Sequence, residues 1–370
     1  MEELIKKNEK SSQKISRRDF ITKSSAAAAA FMIVPRYVLG GPGYTAPSDK
    51  INIAAIGVGG KGRSDIAAVA TENIVALCDV DDVKIFDTIK RAGEWAEEKG
   101  LSENPLTKVP RYKDFREMLD KQKDIDAVTV STPDHFHAVA AITAIKQGKH
   151  AFVQKPLTYS VDEAQKLSAA AKKAGVVTQM GNQGHAGEGI RLIGEWLKDD
   201  AIGEVREVHC WTNRPIWDTG MNRPAEIPSV PPTLDWNQWI GPAPFRPYHP
   251  DYAPWSWRAW CDFGTGALGD MGAHIFDIPY HTLKMDHPTS VFASSSKFNG
   301  ESWPVASTIY YEFPQRGSLP PVKLTWYDGG IMPSRPEGIE PGRRMGDGDG
   351  GIMFYGDKGM IMCGCYGRNP

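Results

Sequence analysis

Gly57, Gly59 and Gly62 stand in the spacing G-x-G-x-x-G directly after the apolar run Ile51 to Ile56. In that setting each glycine has a task if a dinucleotide binds. Gly57 allows a tight turn, Gly59 lets a pyrophosphate approach the backbone, and Gly62 lets helix and strand pack closely. The pyrophosphate would sit on the amino end of the helix that opens near Lys61, beside Gly60, where free N–H groups and the helix dipole favour an anion. A second short apolar strand, Ile74 to Leu77, delivers Asp79, seventeen positions after Gly62. There a carboxylate accepts from the ribose hydroxyls and repels a 2'-phosphate, so NAD is favoured over NADP.

The elements that must hold this loop alternate. Val83 to Lys99 and Asp114 to Leu119 read as helices, and Ala127 to Val130 as a β-branched strand ending in Ser131-Thr132-Pro133. Val139 to Gln147 has helical spacing, Ala151 to Val153 is a strand, Asp162 to Ala174 a helix closed by Gly175, and Val176 to Met180 one more strand. Strands and helices alternating at these lengths predict a doubly wound parallel sheet with right-handed crossovers, a Rossmann fold of class α/β. The texture changes after Asn182. Glu188 to Lys198 is helical and Glu204 to Thr212 alternates as a strand. Arg214 to Pro254 is rich in Pro and Trp with little periodicity. Strand-like runs return at Ser290 to Ser295, Ser307 to Phe313, Val322 to Trp326 and Ile352 to Tyr355, without regular helices between them. They predict a second domain on a mostly antiparallel open sheet. The expected divisions are 1–48 for an export signal and linker, 49–182 for the dinucleotide-binding domain, and 183–370 for substrate binding and oligomerisation.

The amino end supports the first division. Arg17, Arg18, Phe20 and Lys23, then Ala26 to Ala30 and the apolar Phe31 to Val34, make a basic region, a modest apolar core and a small-residue tail. That is the order of an export signal, and paired arginines point to the twin-arginine route and a periplasmic protein. The apolar core is shorter than the roughly 20 residues that span a bilayer, so no integral span is expected in the mature chain. Gly40 to Lys50 reads as a linker. A formal charge of -2 gives no reason to expect nucleic acid or a membrane surface as partner. Five scattered cysteines imply no disulfide framework. Cys363 and Cys365 read as packing, and no metal site is expected because no partners lie at zinc spacing.

From about Lys50 onward the chain resembles the glucose-fructose oxidoreductase and inositol dehydrogenase family, Gfo/Idh/MocA. The resemblance is carried by the glycine loop, Asp79, the STPDHFHA segment from Ser131, the Lys155-Pro156 pair and GALGDMGAHIFDI from Gly266. One departure stands out: where the family commonly has Glu-Lys-Pro, this chain has Gln154, which loses a carboxylate beside the lysine. The resemblance implies that Lys155 lies near the nicotinamide, holds the substrate oxygen and stabilises its developing charge. Asp270 and His274, four apart, share one helix face. The resemblance makes His274 the general base, Asp270 its orienting partner or a hydroxyl ligand, and Asp277 a second such group. Ser131, Pro133 and His135 are expected against NAD. Asn182 should reach the nicotinamide, and Gln183 and His185 the substrate. A metal role for His135 and His137 is not supported by their spacing. Arg258, among tryptophans suited to the C–H face of a sugar ring, is expected at the substrate.

The expected function is an NAD-dependent oxidoreductase acting on a secondary hydroxyl of a sugar, polyol or glycoside. Export adds a demand, since free NAD is not expected outside the cytoplasm. The cofactor must be loaded before export and held through turnover. Two alternatives follow, an NAD-dependent glycosidase working by transient C3 oxidation and elimination, and a non-catalytic NAD- and sugar-binding protein. The resemblance also implies a homo-oligomer, and residues beyond Pro370 that complete the second sheet or the site.

Overall fold

The computed structural model describes residues 45–98, 100–101 and 103–370. Arg17, Arg18 and the rest of the segment read as an export signal lie outside them. Asn52–Pro370 form one contact unit, in which two six-stranded sheets carry the architecture.

The first sheet follows the expected alternation. In chain order it is built from β1 (Asn52–Ile56), α1 (Lys61–Ala68), β2 (Asn73–Cys78), α2 (Asp82–Glu98), β3 (Arg111–Tyr112), α3 (Phe115–Lys121), β4 (Ala127–Val130), α4 (Asp134–Lys146), β5 (His150–Gln154), α5 (Val161–Ala174) and β6 (Thr178–Gly181). All strands run parallel, in the order β3-β2-β1-β4-β5-β6. The order reverses between β1 and β4, and ligands bind at the carboxyl ends of strands flanking such a switch point. Ala54, Ile56, Val128, Val130, Ala151 and Val153 lie in the core on one side of the sheet. Ile53, Ala55, Ile74 and Leu77 lie in a second core on the other side, the double burial that makes parallel strands read as unbroken apolar runs. α5 shows how locally the elements are specified. Ser160 and Glu163 form a reciprocal capping box, and Gly175 closes the helix in the left-handed region.

One boundary moved with consequence. α4 opens at Asp134, five residues before the apolar periodicity begins. Pro133 cannot continue a helix backward, while Asp134 suits a first turn. Asp134 to His137, which lie ahead of the helix expected from Val139, are therefore helical.

The chain continues through α6 (Glu188–Lys198), β7 (Val205–Thr212), α7 (Trp236–Ile240), α8 (Gly266–Ile275) and α9 (Asp277–Thr282). It ends with β8 (Ser290–Ser295), β9 (Ser307–Phe313), β10 (Val322–Tyr327), β11 (Gly350–Gly356) and β12 (Met360–Gly364). The second sheet has the order β12-β11-β7-β10-β9-β8, antiparallel except for the β7–β10 pair. One face, with Cys210, Trp326, Ile352 and Phe354, packs with Ile190, Ile193, Met271 and Ile278 of the helices. Cys363 and Cys365 are free thiols in that core. β12 was not expected; its alternation is too short to separate from the Gly-rich residues around it. The Pro- and Trp-rich stretch forms a separate aromatic core of Trp217, Trp236, Trp239, Tyr252, Trp257, Trp260 and Phe263.

Candidate active site

A cleft of about 400 Å³ runs along the carboxyl ends of β1, β2, β4 and β5. Gly57 sits in the turn after β1 with φ of +79°, and a Cβ there would meet the Ser131 carbonyl oxygen at 2.7 Å. A Cβ on Gly62 would lie 2.0 Å from the Gly57 carbonyl oxygen. Both positions exclude any side chain, so helix α1 closes onto the loop as the spacing demands. Gly62 is consequently buried under the loop and is not part of the cleft wall. Gly59 differs: a Cβ would touch only the flexible Lys84 side chain, so no backbone contact within the chain demands a glycine here.

Asp79 buttresses the loop and faces the cleft. Its Oδ2 accepts from the Val58 amide at 2.9 Å and its Oδ1 from Asp81 N at 3.0 Å. Burial raises its carboxyl above the usual range, against the pull of those amides. The amides of Gly60 and Lys61 make no hydrogen bond among the described residues. Two open donors at a helix start, a glycine-walled approach and a carboxylate one strand away fit the pyrophosphate and ribose of a dinucleotide.

Lys155, after β5, reaches Asp270 on α8. Its Nζ donates to both the Oδ1 and the carbonyl oxygen of Asp270 at 2.6 Å. Arg214 and Arg258 each approach the same carboxylate to 3.6 Å. Burial pulls the Asp270 carboxyl upward, but Lys155, Arg258 and Arg214 outweigh it and hold it below its ordinary value. Lys155, Asp270 and Arg258 line the cleft together with Gly57, Gly59, Gly60, Asp79, Ser131 and Pro133. Nine of the residues singled out from the sequence thus share one cavity. The backbone after Lys155 is pinned by His137, whose ring nitrogens lie 2.6 Å from the Pro156 carbonyl and 2.8 Å from that of Thr132.

Residues 51–182 match the profile described as the Gfo/Idh/MocA oxidoreductase family, NAD-binding Rossmann fold, and residues 204–313 match that family's C-terminal alpha/beta domain. The chain belongs to the Gfo/Idh/MocA family.

Among relatives, a glycosyl hydrolase family 109 protein of Solibacter usitatus is 34% identical over 124 residues, 33% of this chain and 27% of that protein. The levoglucosan dehydrogenase of Pseudarthrobacter phenanthrenivorans is 26% identical over 166 residues, 45% of this chain and 34% of that enzyme. The matches thus span about a quarter to a third of those relatives. The scyllo-inositol dehydrogenase of Lactobacillus casei, solved with NAD(H) and scyllo-inositol, superposes with a TM-score of 0.53 at 16% identity, covering 85% of this chain and 76% of that one. That likeness bears on the fold.

The departure at Gln154 from the usual family acid now has a partner. Gln154 is buried and donates through Nε2 to Asp65 Oδ2 at 2.9 Å, and Ser131 Oγ donates to the same oxygen at 2.7 Å. Lys61 Nζ meets Asp65 Oδ1 at 2.6 Å. A glutamate at 154 would set two buried carboxylates against each other, so the amide is the neutral complement of Asp65. Asp65 was missed from sequence, although its place one turn after Lys61 on the glycine-loop helix was a usable signal. Arg214 was missed too, and nothing in its proline-rich surroundings points to Asp270.

Several of the residues read from the sequence lie off this cleft wall. His135 does not reach the cofactor cleft. Because α4 starts early, its ring turns inward, with Nδ1 3.2 Å from the Phe263 carbonyl and Nε2 3.1 Å from that of Trp239. Burial pushes its pKa down to about 4. His274 also lies off the cleft wall, buried against Tyr366 with ring centroids 4.7 Å apart. Asn182 Nδ2 donates to the Ala273 carbonyl at 2.9 Å, which turns Asn182 Oδ1 toward His274 Nδ1 at 2.7 Å. Nδ1 therefore carries the proton and Nε2 the lone pair. Burial first, then the charge of Lys155, pushes this imidazole down to about 3. Asn182 is buried and absent from the cleft wall, its amide bonded to Ala273 and His274. Gln183 is exposed in the turn after β6, also off the wall. His185 Nδ1 pairs with Asp277 at 3.0 Å, outside the cleft. Among the described residues no group of three or more His, Cys, Asp or Glu side chains is arranged to hold a metal ion, and no helix is long and apolar enough to cross a membrane.

Proposed function

We propose that the protein is an NAD-dependent oxidoreductase that oxidises a secondary hydroxyl of a sugar, polyol or glycoside, with the cofactor held through turnover. The observation that carries this reading is the placement of the Lys155–Asp270 pair in the same cleft as the glycine cradle and Asp79. NAD, when bound, supplies the hydride acceptor. Gly57, Gly59, Gly60 and Asp79 would hold its pyrophosphate and ribose, and Ser131 and Pro133 line the same cleft. Lys155 faces the substrate oxygen with a compact charge, and Asp270 fixes its position and balances it. His274, on α8 itself, ties that helix to Asn182 just off the cleft wall. NAD retention would suit the twin-arginine export read from Arg17 and Arg18. The Phe292–Tyr310 pair, both exposed on the second sheet, suits pairing of two copies.

Denaturing purified protein should release stoichiometric NAD. Adding sugars and polyols to the native protein should raise reduced-nicotinamide absorbance. NAD that never turns over with any sugar would leave a binding protein instead.

A second reading, a redox-neutral NAD-dependent glycosidase, is favoured by the family 109 relative at 34% identity. Aryl glycosides separate the two. Aglycone released without net reduced nicotinamide supports the glycosidase, and keto-sugar with net reduction supports the dehydrogenase.

A further inference from the structure

Three cations converge on one carboxylate at the cleft wall, and they are not equally matched. Lys155 is held by both the side chain and the carbonyl of Asp270. Arg214, behind the wall, has Asp349 as a second acid at 3.4 Å. Among the described residues Arg258 pairs only with the Asp270 Oδ1 that Lys155 already holds, reached through Nε at 3.6 Å. Neither of its terminal nitrogens makes a hydrogen bond to a described residue, although the side chain lines the cleft and keeps 26% of its surface. The other acid nearby, Asp134, has Oδ2 taken by the amide and hydroxyl of Thr265 at 3.1 and 2.6 Å. The guanidinium itself is fixed, lying 4.1 Å from the Trp257 ring centroid and 5.3 Å from that of Trp255.

We infer that the open end of Arg258 receives a carboxylate on the substrate, so that the sugar is an acidic one, a uronic acid or a glycoside of a uronic acid. Two parallel N–H donors match the two oxygens of a carboxylate, and the match is stronger when the fork is already held in place. The indole faces hold it by cation–π attraction while leaving its outer edge free. A neutral hydroxyl would accept one bond and leave the guanidinium charge unbalanced once the ligand has displaced water. The inference rests on the sugar-oxidoreductase reading of this cleft and narrows its substrate.

The test is calorimetric titration of the NAD-loaded protein with methyl β-D-glucuronide, methyl β-D-glucoside and glucose 6-phosphate. The glucuronide should bind on the order of 10- to 100-fold more tightly than the glucoside, the range for a charge-assisted pair. Arg258→Met should erase that preference, and Arg258→Lys should keep only part of it, since an ammonium lacks the fork. Equal affinities for glucuronide and glucoside in the wild-type protein would overturn the inference. So would a preference that survives Arg258→Met, or tighter binding of the phosphate than of the glucuronide. The wild-type comparison decides the matter even if the variants fail to fold. If the glucoside is bound and oxidised as well as the glucuronide, the acidic-substrate inference alone falls. If no sugar is bound or oxidised, the oxidoreductase reading falls with it.

Discussion

Two walls of the cleft are made by different means. The carboxyl edge of the first sheet is a backbone surface: Gly57 and Gly62 admit no Cβ, the Gly60 and Lys61 amides are open, and Asp79 is held by the Val58 amide. The wall from the second half is a side-chain surface, in which Trp255, Trp257, Arg258 and Asp270 are placed by an aromatic core and a cluster of charges. A backbone wall serves a ligand common to a whole family, because N–H groups and missing Cβ atoms recognise phosphate and little else. A side-chain wall varies freely with the substrate. Lys155 and Asp270 join the two, one from each side.

The largest effect is expected where the two walls meet. Replacing Lys155 with Met should lower turnover by about 10³-fold, the scale of losing a charge aimed at the reacting oxygen. NAD retention should persist, because the backbone wall is untouched. Single-turnover reduction and NAD release on denaturation measure the two effects separately, and loss of NAD with activity would show that the lysine serves the cofactor wall instead.

Next in size is an effect of pH on the contact between α4 and the aromatic core. His135 titrates near 6.5 unfolded but is pushed down to about 4 by burial. A depressed folded pKa gives stability that is present above pH 6.5 and lost as the pH falls toward 4. The loss attributable to this one buried ring is about 3 kcal/mol. Urea unfolding at pH 7 and pH 4.5 should show the decline, and His135→Phe should remove most of its histidine-dependent part. An unchanged slope in that variant would place the titration elsewhere.

The backbone wall was readable from sequence, and the side-chain wall was only partly so. G-x-G-x-x-G, the alternating strands and Asp79 carry their geometry with them, because local sterics and a fixed topology leave one arrangement. His135 and His274 show the limit. Residue type and a family pattern marked the first as a contact of NAD and the second as a base, yet the early start of α4 turned the first inward, and Asn182 and Tyr366 pack against the second. Asp65 and Arg214 show the converse: each acquires meaning only from a partner far along the chain, Gln154 and Asp270. Long-range pairing of that kind has no periodicity to read.

A smaller test bears on that pairing. Gln154→Glu restores the common family residue but sets a second carboxylate on Asp65, which already has Lys61 as its cation. The substitution should destabilise the protein by about 2 kcal/mol near neutral pH, with recovery as the pH falls and one of the pair takes up a proton. Adding Asp65→Asn should rescue it, and thermal melts of the two single variants and the double variant measure the coupling.

The smallest change in turnover is expected at His274, and it decides how the two walls divide the chemistry. Asn at this position keeps a donor toward Asn182 Oδ1 but lacks the ring that packs on Tyr366. A loss of about 1 to 2 kcal/mol in stability is expected from the space left behind. Turnover should change less than about 10-fold, because the ring lies off the cleft wall and its Nδ1 is engaged by Asn182. The pH profile of the residual rate should keep its shape. If turnover instead falls as far as it does for Lys155→Met, with NAD still bound, then Nε2 reaches the substrate during the reaction. α8 would then have to move toward the cleft when the sugar enters, and the side-chain wall would be a moving one.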